Sequence, residues 1–187
     1  MGADDPIESM LIEMKNNSEM MIDLAYSALI YGNVDVARHV LDLEAEMDHL
    51  HTRFELTVLQ LRQAHPLKSV LGLIRLGLAA ENIADAAAMI ADVAYRGVAP
   101  HPVLRMALEE AEETVLTTTL APNSPLVGHS LGELGLDDDI GMRVIAVRRR
   151  GKWAYKPPDS TTLRSGDTVI ARGYAEGRER LLQLANP

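Results

Sequence analysis

The sequence contains no cysteine, and only 4% of its 187 residues are aromatic. Without cysteine, the chain can form neither disulfides nor metal sites with thiolate ligands. With so few aromatic side chains, its core must be built from Leu, Ala, Val, Ile and Met, which favours helices in at least part of the chain. The length suits one large domain or two small ones.

Two targeting features are also missing. Asp4, Asp5 and Glu8 stand where a signal peptide would carry positive charge, so we expect a cytoplasmic protein. The longest apolar segment, residues 70–94, is interrupted by charged residues, and a charge near the centre of a bilayer costs several kcal/mol. We therefore expect no direct membrane insertion.

The charge is unevenly distributed along the chain. Residues 1–112 contain 18 acidic and 8 basic residues, a formal charge of −10, whereas residues 113–187 contain 9 acidic and 10 basic residues, a charge of +1. This contrast indicates two units. The acidic first half should repel nucleic acid and anionic membrane surfaces, which leaves metal cations or basic proteins as its expected partners and predicts no nucleic-acid partner.

The first half reads as three long helices. Apolar residues recur near a spacing of 3.6 over residues 6–31, 35–64 and 66–97, and in the third segment they include Leu71, Leu78 and Ile83. The connections are short, so successive helices should be antiparallel neighbours. The pattern predicts an antiparallel three-helix bundle.

The second half has the pattern of a small α+β domain. β-branched and alternating segments predict strands near residues 114–120, 143–148, 153–155 and 167–172, followed by a helix over 175–184. A short acidic helix over residues 103–113 should connect the two halves. We place the domains at residues 1–112 and 113–187.

Three segments of the second half together resemble the TrkA-C domain, also called the RCK C-terminal domain, of cytoplasmic regulators of potassium transporters and channels. They are Ser-Pro-Leu-Val-Gly-His-Ser-Leu-Gly-Glu-Leu at 124–134, Val-Ile-Ala-Val-Arg-Arg at 144–149, and Leu-Arg-Ser-Gly-Asp-Thr-Val-Ile-Ala-Arg-Gly at 163–173. Some TrkA-C domains bind cyclic di-AMP at a dimer interface. The resemblance implies ligand-binding residues Val144, Ile145, Arg148 and Arg149; the alternative is a solvated hairpin tip or an edge kept soluble by charge.

The usual potassium regulators carry a nucleotide-binding Rossmann domain before TrkA-C. No Gly-x-Gly-x-x-Gly follows a strand here, so the NAD or ATP switch of those proteins is not expected.

The first half resembles one three-helix unit of the PhoU family, in which an acid, three residues and Asp occur on successive helices. Glu44 and Asp48 match the first motif, and Glu81 and Asp85 match the second. Like charges one helical turn apart cost about 0.2–0.5 kcal/mol unless a cation or a basic group lies between them. The resemblance implies a divalent metal of the iron or zinc class on these four carboxylates, with His49, His51 and Asp92 as supplementary ligands. The alternative is that the acids lie on solvated flanks.

Together the resemblances imply a homodimeric, non-enzymatic regulatory subunit of a membrane cation channel or transporter, with potassium as the expected cation. A metal or a small ligand would switch the dimer. The alternative is a metal-binding PhoU-type adaptor in phosphate uptake signalling. A third hypothesis is an enzyme that uses the carboxylates for metal-assisted hydrolysis, but the sequence shows no nucleophile and no phosphate-binding loop that would support it.

Overall fold

The computed structural model of the chain describes residues 6–63, 65–98, 102–103 and 113–187. The chain divides into two compact units, Met1–Ala99 and Pro100–Pro187. The acidic helix predicted over residues 103–113 lies almost entirely outside the described residues. For the same reason, the domain boundary predicted between residues 112 and 113 stays a prediction.

The first unit is the predicted three-helix bundle. It consists of α1 (Pro6–Tyr31), α2 (Val34–Gln60), which is extended by a 3-10 turn at Leu61–Gln63, and α3 (Leu67–Tyr95). The Asn33 side chain accepts a hydrogen bond from the backbone N–H of Val36 at 3.2 Å and so caps α2. The larger buried side chains come from α1 and α2: Met14, Met21, Leu24, Val36, Val40, Met47, Phe54 and Val58.

Helix α3 packs through a face of small residues. Apart from Val70, its buried positions are Gly77 and six alanines. A Cβ on Gly77 would lie 2.7 Å from Cε1 of Phe54, so glycine is what allows α2 and α3 to approach closely here. Leu71, Leu78 and Ile83, the apolar residues that mark this helix in the sequence, are instead nearly half exposed. None of the described helices is both long and apolar enough to cross a bilayer.

The second unit is built on a four-stranded antiparallel sheet and has the predicted α+β class. The strands are β1 (Glu113–Thr119), β2 (Met142–Arg149), β3 (Lys152–Tyr155) and β4 (Thr168–Tyr174). They lie in the order β1-β4-β2-β3. The helices are α4 (Leu131–Leu134), α5 (Leu136–Ile140), which the sequence pattern did not predict, and α6 (Ala175–Ala185).

Strand β2 contains a bulge that determines which side chains reach the core. Val144 lies opposite Ala171, but Ala146 lies opposite Ile170, so two steps on β2 match one step on β4. Because of this extra residue, Val144 and Val147 both pack against the core although they are three positions apart. The other core residues include Leu116, Leu120, Leu126, Met142, Leu163, Val169 and Leu181.

Candidate ligand-binding sites

Three of the four carboxylates predicted as metal ligands lie together on the flank of α2 and α3. Glu44 and Asp48 are one turn apart on α2, and Asp85 comes from the facing turn of α3. Each contributes a carboxylate oxygen to a group in which all three oxygens lie within 4.8 Å of one another. We call these three residues the acidic cluster.

The acidic cluster disfavours its own full ionisation. Partial burial raises the pKa of the Glu44 carboxyl, and the negative charges of Asp48, Asp85 and Glu81 raise it further. Asp48 is exposed to solvent, and Glu44 and Asp85 are only partly buried. The cluster is therefore a region of concentrated negative charge that remains in contact with water.

Glu81, the fourth predicted carboxylate, lies outside the group of three and beside a histidine. Its Oε2 lies 3.6 Å from Nδ1 of His51, and Nε2 of the same ring lies 3.5 Å from Oε1 of Glu55. His51 is only 8% exposed. Its ring therefore separates two carboxylates at the α2–α3 contact. The sequence indicated His51 only as a supplementary ligand, because α2 carries three histidines and their spacing does not show which acid each of them will face.

In the second unit, Arg149 is held by a buried aspartate. Its Nε donates to Oδ1 of Asp167 at 2.8 Å, and its Nη2 donates to Oδ2 at 2.6 Å and to the carbonyl of Thr162 at 2.7 Å. The backbone N–H of Arg164 donates to the same carboxylate at 2.8 Å. Arg149, predicted as a ligand-binding residue, thus fixes the end of β2 to the turn that precedes β4.

The charge state of Asp167 follows from these bonds. Burial leaves its side chain 2% exposed and by itself favours the neutral acid. The hydrogen bonds from Arg149 and Arg164, together with their positive charges, outweigh burial and lower the pKa of Asp167. Asp167 is therefore an ionised acceptor, and both of its oxygens accept hydrogen bonds. It lies within the third TrkA-C-like segment, but the sequence pattern did not mark it as functional.

The other three predicted ligand residues occupy different environments. Val144 is half-buried against the core, Ile145 is buried at the bulge, and Arg148 is exposed. The guanidinium of Arg148 lies 6.0 Å from the ring centroid of Trp153, its cross-strand neighbour on β3. The ring of Trp153 stacks in turn with that of Tyr155 at 6.1 Å.

This group of one cation and two rings can present both charge and flat aromatic surface to a ligand. As ligand-binding residues, Val144, Ile145, Arg148 and Arg149 stay predictions. Sequence reasoning missed Trp153, although strand pairing places it directly opposite Arg148.

Several solved structures resemble parts of the chain at low identity. The RCK_C domain dimer of S. agalactiae BusR in complex with c-di-AMP is 21% identical, and the match covers 41% of this chain and 94% of that one with a TM-score of 0.37. The RCK C domain of the potassium transport protein KtrA in complex with c-di-AMP is 21% identical over 43% and 93%, with a TM-score of 0.36. S. agalactiae BusR in complex with its busAB-promotor DNA is 15% identical over 91% and 96%, with a TM-score of 0.37. None of the curated proteins matches this chain.

These findings correct the expectation of a divalent metal cofactor, which is wrong. The ligand named for the two RCK domains is c-di-AMP, and no metal is named with them. The structure supplies a physical reason, because the four expected carboxylates do not form one set. Glu81 faces His51, and Asp48 is exposed, so that water rather than an ion can solvate its charge.

Two family models match the chain, one on each side of the unit boundary. The model of the PhoU domain matches residues 11–94, which span most of the three-helix bundle. The model of the TrkA-C domain matches residues 115–186, which span the sheet and the helices α4, α5 and α6. The chain is therefore a PhoU-like helical bundle fused to a TrkA-C domain.

Proposed function

We propose that this protein is a non-enzymatic regulatory subunit of a membrane cation channel or transporter, with potassium as the cation. The observation that carries the proposal is the TrkA-C match over residues 115–186, in a unit whose sheet presents an exposed arginine beside two stacked rings. The PhoU match over residues 11–94 supports a role in ion homeostasis. We place the protein in the cytoplasm, bound to the membrane only through its transporter.

The proposed mechanism is a ligand-linked change in a homodimer. A small anionic ligand bound on the second unit would stabilise one arrangement of two copies and thereby bias the transporter. Arg148 would contact the ligand and Ile145 would line its site, whereas Val144, which packs against the core on the other face of β2, would position the strand. Arg149 would act as a positioning residue, because its guanidinium already donates three hydrogen bonds to Asp167 and Thr162.

The ligand step is tested by titrating the full chain with cyclic di-AMP in a calorimeter and by measuring its mass in solution by light scattering. We expect saturable heat, a dimeric mass, and binding that is at least about tenfold weaker in Arg148→Gln. The matched control is Arg180→Gln, which removes an exposed arginine from α6. Equal weakening in both variants would indicate that the ligand is attracted by the overall positive charge and not by Arg148 in particular, and would contradict the site.

The partner step is tested by purifying the tagged full chain from native membranes. A cation channel or transporter retained by the wild type supports the proposal. The alternative, a PhoU-type adaptor in phosphate uptake signalling, is favoured by the match of residues 11–94 and would instead retain a phosphate transporter or a histidine kinase. A separate assay tests the prediction of no nucleic-acid partner: the protein should not bind promoter-sized DNA fragments at physiological salt, and specific binding of such a fragment would refute the prediction.

A further inference from the structure

Helix α3 carries a second apolar stripe, outside the face that packs within the bundle. Its six members recur at alternating steps of three and four residues and are Leu76, Ala79, Ile83, Ala86, Ile90 and Val93. Each member directly precedes a buried residue of α3, and one position turns an α-helix by about 100°. The stripe therefore runs beside the buried face, and we call its six residues the outer stripe.

The large side chains of the outer stripe are accessible to solvent. Leu76 is 55% exposed, Ile83 is 45% exposed and Val93 is 37% exposed. The two alanines are also exposed, and Ile90 is partly buried. Apolar residues that alternate steps of three and four form the contact row of a helix that pairs with another helix. The spacing and the exposure together indicate a helical partner.

The outer stripe is complementary in shape to a second copy of itself. If two copies of α3 lie antiparallel about a two-fold axis at the middle of the stripe, Ile83 of one copy faces Ala86 of the other. In the same register, Ala79 faces Ile90. A large side chain thus meets a small one at each of these contacts, and this alternation lets two helices interdigitate. A parallel pair would instead place like residues against each other.

The distribution of charge also favours this side of α3. Residues 1–112 contain 18 acidic and 8 basic residues, a formal charge of −10, so two bundles repel each other on average. Glu81 and Asp85 are each two positions from Ile83, which places them about 200° around the helix from it. Glu81 lies beside His51 of α2, and Asp85 belongs to the acidic cluster. The outer stripe contains no charged residue, so two acidic bundles can approach each other there.

The available area is sufficient for a specific dimer. Helix α3 has 29 residues and is therefore about 44 Å long, and a helix with its side chains is about 10–12 Å wide. Contact along the whole helix would cover about 500 Å² on each copy and about 1,000 Å² in total, which is the lower limit for a specific interface with good complementarity.

We propose that the outer stripe of α3 pairs two copies of this chain in an antiparallel arrangement. The inference assigns a contact surface to the homodimer proposed above, and it rests on that proposed function for its biological role. The contact itself requires neither the regulatory ligand nor the transporter. A failure of the ligand titration or of the transporter purification would therefore leave the pairing of α3 in place, and the two proposals can fail separately.

The test is disulfide cross-linking of the full chain without ligand, which is possible because the natural chain contains no cysteine. Ala79→Cys and Ile90→Cys are prepared separately, mixed in equal amounts and oxidised. We expect a cross-linked dimer from the mixture, because positions 79 and 90 face each other across the axis. Each variant alone should give little cross-linked dimer, since two copies of position 79 would lie about 16 Å apart along the helices.

A pair of matched substitutions tests the energetics of the same contact. Ile83→Asp should weaken self-association, measured by sedimentation equilibrium, by at least about tenfold, because it buries a charge in the interface. Leu78→Asp makes the same kind of change at a side chain that is also 45% exposed but lies about 120° away on α3, and it should leave self-association unchanged. Circular dichroism should show the same helix content in both variants.

Several outcomes would overturn the proposal. They are a chain that stays monomeric, cross-linking of each cysteine variant with itself, and equal weakening by Ile83→Asp and Leu78→Asp. In a monomeric sample, slow reaction of the Ala79→Cys thiol with a maleimide would indicate that another part of the chain covers the outer stripe. Binding of a monomer to phosphatidylcholine vesicles that Ile83→Asp abolishes would assign the stripe to a lipid surface. Both of these results would also contradict pairing.

Discussion

Replacement of Asp167 by asparagine should destabilise the second unit selectively. The carboxylate accepts two hydrogen bonds from Arg149 and one from the backbone N–H of Arg164, and its side chain is 2% exposed. Removing one partner of a buried ion pair typically costs about 3–5 kcal/mol. The Arg149 side chain is 33% exposed and can be partly rehydrated, so we expect a loss of about 2–3 kcal/mol.

The assay is urea unfolding of the full chain followed by tryptophan fluorescence. Trp153 is the single tryptophan and lies on β3, so the signal reports on the second unit alone. With a slope of about 1 kcal/mol per M for a unit of this size, a loss of about 2–3 kcal/mol should lower the urea midpoint by about 2–3 M. Asp138→Asn, the same chemical change at an exposed position on α5, is the control and should shift the midpoint little.

The pH dependence of the stability difference between wild type and Asp167→Asn gives a second, independent test. Because the pKa of Asp167 is lowered in the folded state, its stabilisation is complete above the unfolded pKa of about 3.9 and is lost as the pH falls through the lower folded value. The gap between wild type and Asp167→Asn should therefore be constant near neutral pH and should narrow below about pH 4. A variant within about 0.5 kcal/mol of wild type at pH 7 would refute the structural role assigned to this ion pair.

Three further predictions concern the helices and their termini. Gly77→Ala should lower the free energy of unfolding of the bundle by about 1–3 kcal/mol, because the new Cβ would meet the ring of Phe54. Gly72→Ala, whose Cβ would have nothing within 4 Å, should raise the free energy of unfolding by about 0.5–1 kcal/mol. Thermal unfolding followed by circular dichroism measures both changes, and equal effects of the two variants would contradict the close packing at Gly77. Glu44→Gln should stabilise the bundle by about 0.5 kcal/mol at pH 7 in the same unfolding assay, because it removes one of the neighbouring negative charges. The pKa of Glu44 is raised, so this gain should disappear at acid pH, where the Glu44 carboxyl of the wild type is itself protonated. A gain that persists at acid pH would disprove the electrostatic cause. Ser130→Ala removes the capping box with Glu133, so it should lower the free energy of unfolding of the second unit by about 1 kcal/mol in urea. Ser130→Thr keeps a hydroxyl that can cap the helix and should retain most of that stability.

The elements of the fold could be predicted because each one carries a local signal. Hydrophobic periodicity and short connections identify the three helices, and β-branched alternation identifies the four strands. The packing face of α3 could not be read in this way. Its leucines suggested a large-residue core, but the helices approach through Gly77 and alanines, and the choice depends on how closely Phe54 of the neighbouring helix can pack.

For the candidate sites, the sequence predicts which side chains share a face of one helix, but not which side chains of other elements they contact. An i, i+4 spacing correctly brings Glu44 and Asp48 to one side of α2, and helix pairing brings Asp85 to them. Nothing in the spacing shows that Glu81 would face His51, because that depends on the rotation of α3 against α2. Side-chain partners contributed by distant segments require the tertiary structure.

The bulge between Val144 and Ala146 gives β2 one residue more than its pairing with β4 requires. Without Ile145, Ala146 would follow Val144 directly and the two strands would pair residue for residue, so Val147 would stay on the core side and Arg149 on the side of Asp167. The deletion would instead remove the bend and the added twist that a bulge gives a strand. We therefore expect related chains to differ in length at this position more readily than elsewhere in β2.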